Sequence, residues 1–272
     1  MKYIKINTWM EGGIMSRLAE IVAFIEHDYQ KKAVIEPEKR LDKLRDSLFD
    51  IVKTYHPGVI VKAGLGSGRL LYDLAKNSGA YIVVVEPSLG TIREFSSLHK
   101  DDPACEKIRF INGEFNAFPI DYYAADLLIC IDYLDFLESG RVVDEFRRAL
   151  QFDGILFIAS VVLHDDDLEG AYDDFMKKAF PLHNDYYLRE DLKTFMDLNE
   201  LTFVKGSLEH YSADLSGMVD YFSGLFPDTG ENPLIQIEEQ KNKFTELYKL
   251  EGSVISEPYY IGVFARRKPA HP

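Results

Sequence analysis

The sequence predicts an α/β fold, with a seven-stranded, mostly parallel sheet, helices on both faces and extra helical segments at both ends. Three observations carry that prediction. Short β-branched runs recur from residue 59 onward with helical patterns between them. The first run leads directly into closely spaced glycines. Helix-spaced apolar residues fill the first 57 positions and return in a stretch just before the last run. Apolar strands separated by helices imply a buried parallel sheet built from right-handed crossovers.

Each element follows from its own pattern. Ile14, Leu18, Ile21, Val22, Ile25 and Tyr29 recur at helical spacing, as do Leu41, Leu44, Leu48, Ile51, Val52 and Tyr55, with Pro37 suited to a first helical turn. Pro57-Gly58 ends that second helix. Strands are then expected at Val59–Ala63, Tyr81–Glu86, Ile108–Asn112, 126–131 and 155–160, with helices such as Arg69–Asn77 and 142–150 between them. A helix at Arg189–Leu198 leads to a strand at 202–208, and a final strand is expected at 259–265.

Between the last two strands, Leu215, Met218, Val219, Phe222 and Phe226 share one helical face, and Phe244, Leu247 and Tyr248 mark a second helix after Pro233. These helices either pack on the sheet or, with the N-terminal pair, cover a substrate. The expected units are an N-terminal helical cap at 1–57, an α/β domain at 58–211, a helical insertion at 212–257, and the last strand and tail at 258–272.

Bulk composition excludes several function classes. A net charge of -14 repels phosphate backbones and anionic membrane surfaces, so neither nucleic acid nor membrane is an expected partner. The two cysteines, Cys105 and Cys130, are too few and too irregularly placed for a disulfide framework or a zinc site. The first residues lack the apolar run of a signal peptide, and the run at 155–163 is far short of a membrane span. A reduced, cytoplasmic setting is expected, with no metal; the apolar helices of the insertion could also form a homodimer interface.

The sharpest signal is Gly64-Leu65-Gly66-Ser67-Gly68 between a buried strand and a helix. Such a turn lets backbone approach a ligand closely and aims helix N-terminal amides at it. A dinucleotide fingerprint would need glycine at Arg69, and a phosphate-binding P-loop would need Gly-Lys-Ser/Thr, so both are excluded. The second strand ends in Glu86, where a carboxylate can accept two hydrogen bonds from a ribose diol. An isolated Glu86 would read as a surface residue; the glycine loop at this distance favours the nucleoside reading. Further on stand Asn112-Gly113-Glu114-Phe115, then Asp126–Ile131 followed by Asp132-Tyr133, and Phe146 to Ile158 around Gly154.

In that order and spacing these segments resemble the class I S-adenosylmethionine-dependent methyltransferases, especially those acting on small molecules. The likeness covers residues 58–160 and returns weakly at Arg189 to Leu208 and Tyr259 to Arg267. It implies a Rossmann-like sheet, S-adenosylmethionine as cofactor and methyl transfer to a small-molecule acceptor. By resemblance, Gly64, Gly66 and Gly68 would line the methionyl and ribose parts, and Glu86 would hold the ribose hydroxyls. Glu114 would accept from the adenine amino group, the Phe115 amide would meet a ring nitrogen, and Pro87 or Leu89 would pack on an adenine face. Ile131 and Asp132 would sit near the transferable methyl. The Asn/Asp-Pro-Pro-Tyr motif of the DNA amino-methyltransferases is absent, since Ile131-Asp132-Tyr133-Leu134 stands in its place.

One position departs from the family. Lys62 stands where an acid commonly contacts the cofactor's ammonium group. Like charges at about 4 Å in an effective dielectric near 20 repel by about 4 kcal/mol, roughly a thousandfold in affinity. Lys62 either pairs with another carboxylate, or meets an acid group on the ligand or on a modified cofactor, or marks a site that has become a binding or regulatory surface. Asp132 is a candidate catalytic residue at a strand tip, with helix capping as its structural alternative. His164 is a candidate base or substrate contact, with a solvated loop histidine as its alternative. Tyr29, Tyr133 and Tyr187 are candidate pocket walls.

Overall fold

Near-continuous burial marks the central strands and explains why they pair in parallel. The computed structural model describes residues 3–5, 12–31, 34, 38–226 and 232–268, with side chains from residue 17 on. The chain runs through β1 (Tyr3–Lys5), α1 (Gly12–Lys31), α2 (Glu38–Tyr55), β2 (Val59–Ala63), α3 (Arg69–Asn77), β3 (Tyr81–Glu86), α4 (Leu89–Leu98), β4 (Ile108–Asn112) and β5 (Ala125–Ile131). It continues through α5 (Ser139–Ala149), β6 (Leu150–Val161), α6 (Ala171–Ala179), α7 (Arg189–Leu198), β7 (Leu201–Asp214), α8 (Leu215–Leu225), α9 (Leu234–Glu239), α10 (Lys241–Tyr248) and β8 (Val254–Arg266).

Strand order is β1-β4-β3-β2-β5-β6-β8-β7. The first six positions are parallel, while β8 runs antiparallel between β6 and β7. The seven strands expected from the sequence are all present. The addition is β1, a three-residue edge strand that pairs Tyr3 with Phe110. It is too short to leave a periodic signal.

Helices close over the sheet through amphipathic faces. Leu70, Leu71 and Leu74 of α3, and Val142, Val143 and Phe146 of α5, are fully buried. The position of Pro37 lies outside the described residues. Helices α4 and α6 were not marked by periodicity; both are short and held by side-chain caps. The Ser88 hydroxyl accepts from the Thr91 amide at 3.0 Å, and Asp167 accepts from the Ala171 and Tyr172 amides at 3.0 and 3.1 Å. Among the described residues no helix is long and apolar enough to cross a membrane.

The largest difference from expectation concerns the last two strands. They pair from Leu201 opposite Arg266 to Asp214 opposite Val254, well beyond the 202–208 and 259–265 spans. Strand β6 meets β8 only from Ile155 opposite Ala265 to Val161 opposite Tyr259. The rest of the β7–β8 ribbon therefore overhangs the carboxyl end of the parallel strands. Polar residues such as Glu209, His210 and Glu257 interrupt its apolar alternation, which hid its length in the sequence.

Candidate functional site

Ligand sites in open α/β sheets lie beyond the carboxyl ends of the parallel strands, and the marked residues gather there. The Gly64 amide, just past β2, donates to the Val85 carbonyl of β3 at 2.8 Å. Gly64, Gly66 and Gly68 all have positive φ, at 76°, 62° and 77°, a backbone that side chains resist. At the tip of β3, Glu86 is fully buried. Its Oε2 accepts from the Leu65 amide and its Oε1 from the Ser88 amide, both at 2.8 Å. Burial pushes its pKa up to about 7, against the opposing pull of those amides and of Lys62. Asn112, ending β4, donates to the Glu86 and Pro87 carbonyls at 3.0 and 2.6 Å and fixes that turn.

Lys62, also fully buried, turns along the loop, where its Nζ donates to the Gly64 carbonyl at 3.0 Å and the Leu65 carbonyl at 3.4 Å. It thus ties the two loop carbonyls while its charge favours the ionised form of Glu86.

The chain's own side chains cover the loop. A Cβ built on Gly64 would overlap the Tyr133 ring, and one on Gly68 would lie 2.9 Å from Phe95 and 3.7 Å from the Tyr29 hydroxyl. Asp132 has positive φ, 53°, at the end of β5. Tyr133, the next residue, is fully buried, with its ring edge-on to Phe115 at 4.9 Å. Tyr29 and Tyr133 therefore border the glycine loop. Tyr187 instead stacks on Phe195 at 5.8 Å and borders a shallow hollow near Asn184.

Two cavities open close to this loop, one reaching Asp132 at the end of β5 and the other Pro87 beside Glu86. The smaller, about 240 Å³, is lined by Pro87, Glu114, Phe115, Phe136 and, from α1, Arg17 and Ile21. Partial burial raises the Glu114 pKa. The larger, about 320 Å³, lies between α2, α6, α8 and the overhanging ribbon. Val161, Met176, Phe180, Met218 and Phe222 form its apolar walls, and Lys39, Arg40, Asp132, Asp135, Asp214 and Glu257 supply charge. Asp132 lines the larger cavity. His164 lines neither; its Nδ1 accepts from the Asp166 amide at 3.2 Å and its own amide donates to the Tyr248 hydroxyl at 3.1 Å.

Sequence reasoning missed the charged network at the floor of the larger cavity. Arg40 pairs with Glu257 and lies 3.6 Å from Asp132. The Tyr172 hydroxyl donates to Glu257 at 2.6 Å, and the Tyr259 hydroxyl donates to Asp132 at 3.0 Å. Burial opposes the Arg40 charge, but Glu257 and Asp132 more than compensate and raise its pKa. Two signals were available. Arg40 shares the buried stripe of α2 with Leu44, Leu48 and Ile51, and Glu257 alternates with the buried Ile255, Tyr259 and Ile261. A charge on an apolar stripe asks for a buried partner.

The residues fit an adenosine group. Glu86 accepts from the Leu65 and Ser88 amides and meets the Thr91 side chain, and the lone pairs left on its oxygens are those a ribose diol would use. Glu114 and Phe115 stand in an open cavity beside Glu86's turn, where an adenine edge needs an acceptor and an amide. At the Gly64 end, the Tyr133 ring covers the loop. Among the described residues no cluster suited to a metal ion occurs.

Comparisons with known proteins agree with this geometry. Residues 61–158 match the methyltransferase domain family. No curated protein shows significant similarity to the chain. Among solved structures, YcgJ from Bacillus subtilis is similar over 82% of this chain and 99% of its own, with TM-score 0.70 and 14% identity. Geranyl diphosphate C-methyltransferase from Streptomyces coelicolor, solved with Mg²⁺, geranyl diphosphate and S-adenosyl-L-homocysteine, is similar over 88% of this chain and 84% of its own, with TM-score 0.57 and 15% identity. The [4+2]-cyclase SpnF is similar over 82% and 81%, with TM-score 0.52 and 16% identity. At these identities the likeness to solved structures is one of fold, and a fold hosts more than one chemistry.

Proposed function

We propose that the protein binds S-adenosylmethionine and transfers its methyl group to a small-molecule acceptor held in the larger cavity, a reading supported by the match of residues 61–158 to the methyltransferase domain family. The observation that carries this reading is a juxtaposition. The glycine loop, Glu86 and the Glu114–Phe115 cavity share one edge of the sheet, and Asp132 lines the acceptor cavity next to it.

When bound, the cofactor supplies an activated methyl on a sulfonium. The chain supplies position and dryness, since an in-line displacement draws most of its acceleration from alignment and exclusion of water. Gly64, Gly66 and Gly68 let the backbone approach the nucleoside. Glu86 holds the ribose hydroxyls, Glu114 and the Phe115 amide hold the adenine edge, and Pro87 packs beside it. Ile131 and Asp132 border the point where the acceptor meets the methyl, and Asp132 is held there by Tyr259 and Arg40. Helices α1, α2 and α8 serve as the lid: Asp28 of α1 accepts from the Tyr221 hydroxyl of α8 at 3.0 Å and from the Val34 amide at 2.7 Å. Cys105 and Cys130 are free and buried, which supports a reducing compartment such as the cytoplasm.

Calorimetric titration with S-adenosylmethionine and S-adenosylhomocysteine tests the reading. Native protein is expected to bind in the micromolar range, and Glu86→Ala to weaken binding by about a hundredfold. Absence of binding, together with no labelled methyl transfer across a broad acceptor panel, would remove it.

A second reading has its own observation. The Lys62 ammonium occupies the Gly64 carbonyl, a partner that the ammonium of the cofactor's methionyl group would also seek. A binding or regulatory protein, or one that takes a cofactor with an added acid group, would have this arrangement. Binding gained only in Lys62→Glu would favour it over the first.

A further inference from the structure

The larger cavity carries information about what enters it. Its ionisable lining comprises two cations, Lys39 and Arg40, and four carboxylates, Asp132, Asp135, Asp214 and Glu257. Three of the carboxylates have partners within the protein. Glu257 holds Arg40 and the Tyr172 hydroxyl, and Asp132 holds the Tyr259 hydroxyl with Arg40 nearby. Asp214 caps α8, accepting from the Ser216 amide at 3.2 Å and the Ser253 hydroxyl at 2.7 Å. The fourth is different: its carboxyl meets its own backbone amide, and Asp135 Oδ1 is buried with no hydrogen-bond partner among the described residues.

Neither cation is free to serve it. Arg40 is engaged with Glu257, and its guanidinium lies 4.3 Å from the centre of the Tyr259 ring. Lys39 is exposed at the rim. A buried carboxyl oxygen without a donor is costly, and at the wall of a cavity a ligand can complete it. The remaining lining is aliphatic and aromatic, with Phe180, Tyr186, Tyr221 and Phe222 offering ring surface. Aromatic faces attract cations and repel anions.

We propose that this cavity takes a small apolar molecule bearing a protonated amine, and that Asp135 is the residue that pairs with the amine. The proposal rests on the cavity's being the acceptor site of the methyl-transfer reading, and it names the acceptor's class by the group that anchors it; a protonated nitrogen has no lone pair, so the ammonium is the anchor and not the atom that takes the methyl. A carboxylate or phosphate ligand would meet an excess of negative charge. A neutral alcohol would satisfy Asp135 Oδ1 but gain nothing from the net field. Burial and the neighbouring Asp132 hold the Asp135 pKa well above the usual carboxylate range.

The test is a charge series of one shape, measured by calorimetry on the full chain without any cofactor. The probes are 2-phenylethylamine, 2-phenylethanol and 3-phenylpropanoate. The amine is expected to bind about tenfold or more tightly than the alcohol, and the carboxylate not at all. In Asp135→Asn the amine should lose about tenfold while the alcohol changes by about twofold or less. Equal affinity for amine and alcohol, preference for the carboxylate, no binding by any probe, or an amine affinity unchanged in Asp135→Asn would each overturn the proposal. The native series needs no variant, so misfolding of Asp135→Asn cannot mask the result. Because no cofactor is present, failure of S-adenosylmethionine binding would leave amine selectivity standing, and loss of amine selectivity would leave cofactor binding standing.

Discussion

Tyr133 illustrates how one residue can control access to a shared site. The positive φ of Asp132 breaks the alternation at the end of β5, so the next side chain swings onto Gly64. There it covers the turn along which a chain attached to the ribose would run in the proposed complex. Replacing the ring removes that cover. Tyr133→Ala is expected to tighten S-adenosylhomocysteine binding by about tenfold in a calorimetric titration. An affinity that stays level or falls would show that the ring is no obstacle. Sequence reading could mark Tyr133 as a candidate pocket wall, because its distance from the strand tip is local. It could not say which side of Asp132 the ring would take, because that turns on a single backbone torsion.

Among the elements, α2 has the clearest structural task. Its apolar stripe of Leu41, Leu44, Leu48 and Ile51 buries it, while Arg40 fixes it to β8 through Glu257 and brings it near Asp132 at the end of β5. Removing one member of a buried ion pair strands the others, which typically costs about 3–5 kcal/mol. Arg40→Met should therefore lower unfolding free energy by about that amount in urea, and Arg40→Met/Glu257→Leu should recover a measurable part. A single variant within about 1 kcal/mol of native would mean that the pair is not what anchors α2. Helix α1 is held differently. Its Glu26 accepts from the Ser88 hydroxyl at 2.7 Å and its Phe24 packs edge-on to Phe136 at 5.7 Å, so it spans the edge of the sheet where the nucleoside residues lie.

At the scale of the whole molecule, two buried acids set the pH dependence. Folding raises the pKa of Glu86 to about 7 through burial and raises that of Asp135 well above its usual range. The folded state then holds protons that the unfolded chain has already released, so stability falls as pH rises from the unfolded carboxylate range through the folded values. For Glu86 alone the loss is on the order of 3 kcal/mol between about pH 4.5 and 7. Thermal melts of native protein and Glu86→Gln from about pH 5 to about pH 8 check this. The native midpoint should fall more steeply than the variant's, and parallel curves would contradict the assignment. The net charge of -14 acts in the same direction, because added negative charge increases self-repulsion in the compact state.

What the sequence determined by itself was whatever short-range pattern can encode. The central strands β2, β3 and β4 and helices α3 and α7 were readable from periodicity, and the Gly64, Gly66 and Gly68 turn from the need for positive φ. The place of Glu86 at a strand tip was readable because a parallel strand delivers its last residues to one edge, while Glu114 was marked only by the family resemblance. Tertiary structure alone decided the acceptor cavity. Arg40 and Glu257 are 217 positions apart, Tyr259 and Asp132 are 127 apart, and neither pair leaves a trace in local composition. The length of the β7–β8 ribbon was equally hidden, because its outer half is stabilised by pairing with a distant strand rather than by its own alternation. Local sequence sets which conformations the backbone favours; the partner of a buried charge is set by which distant segment the folded chain brings within reach.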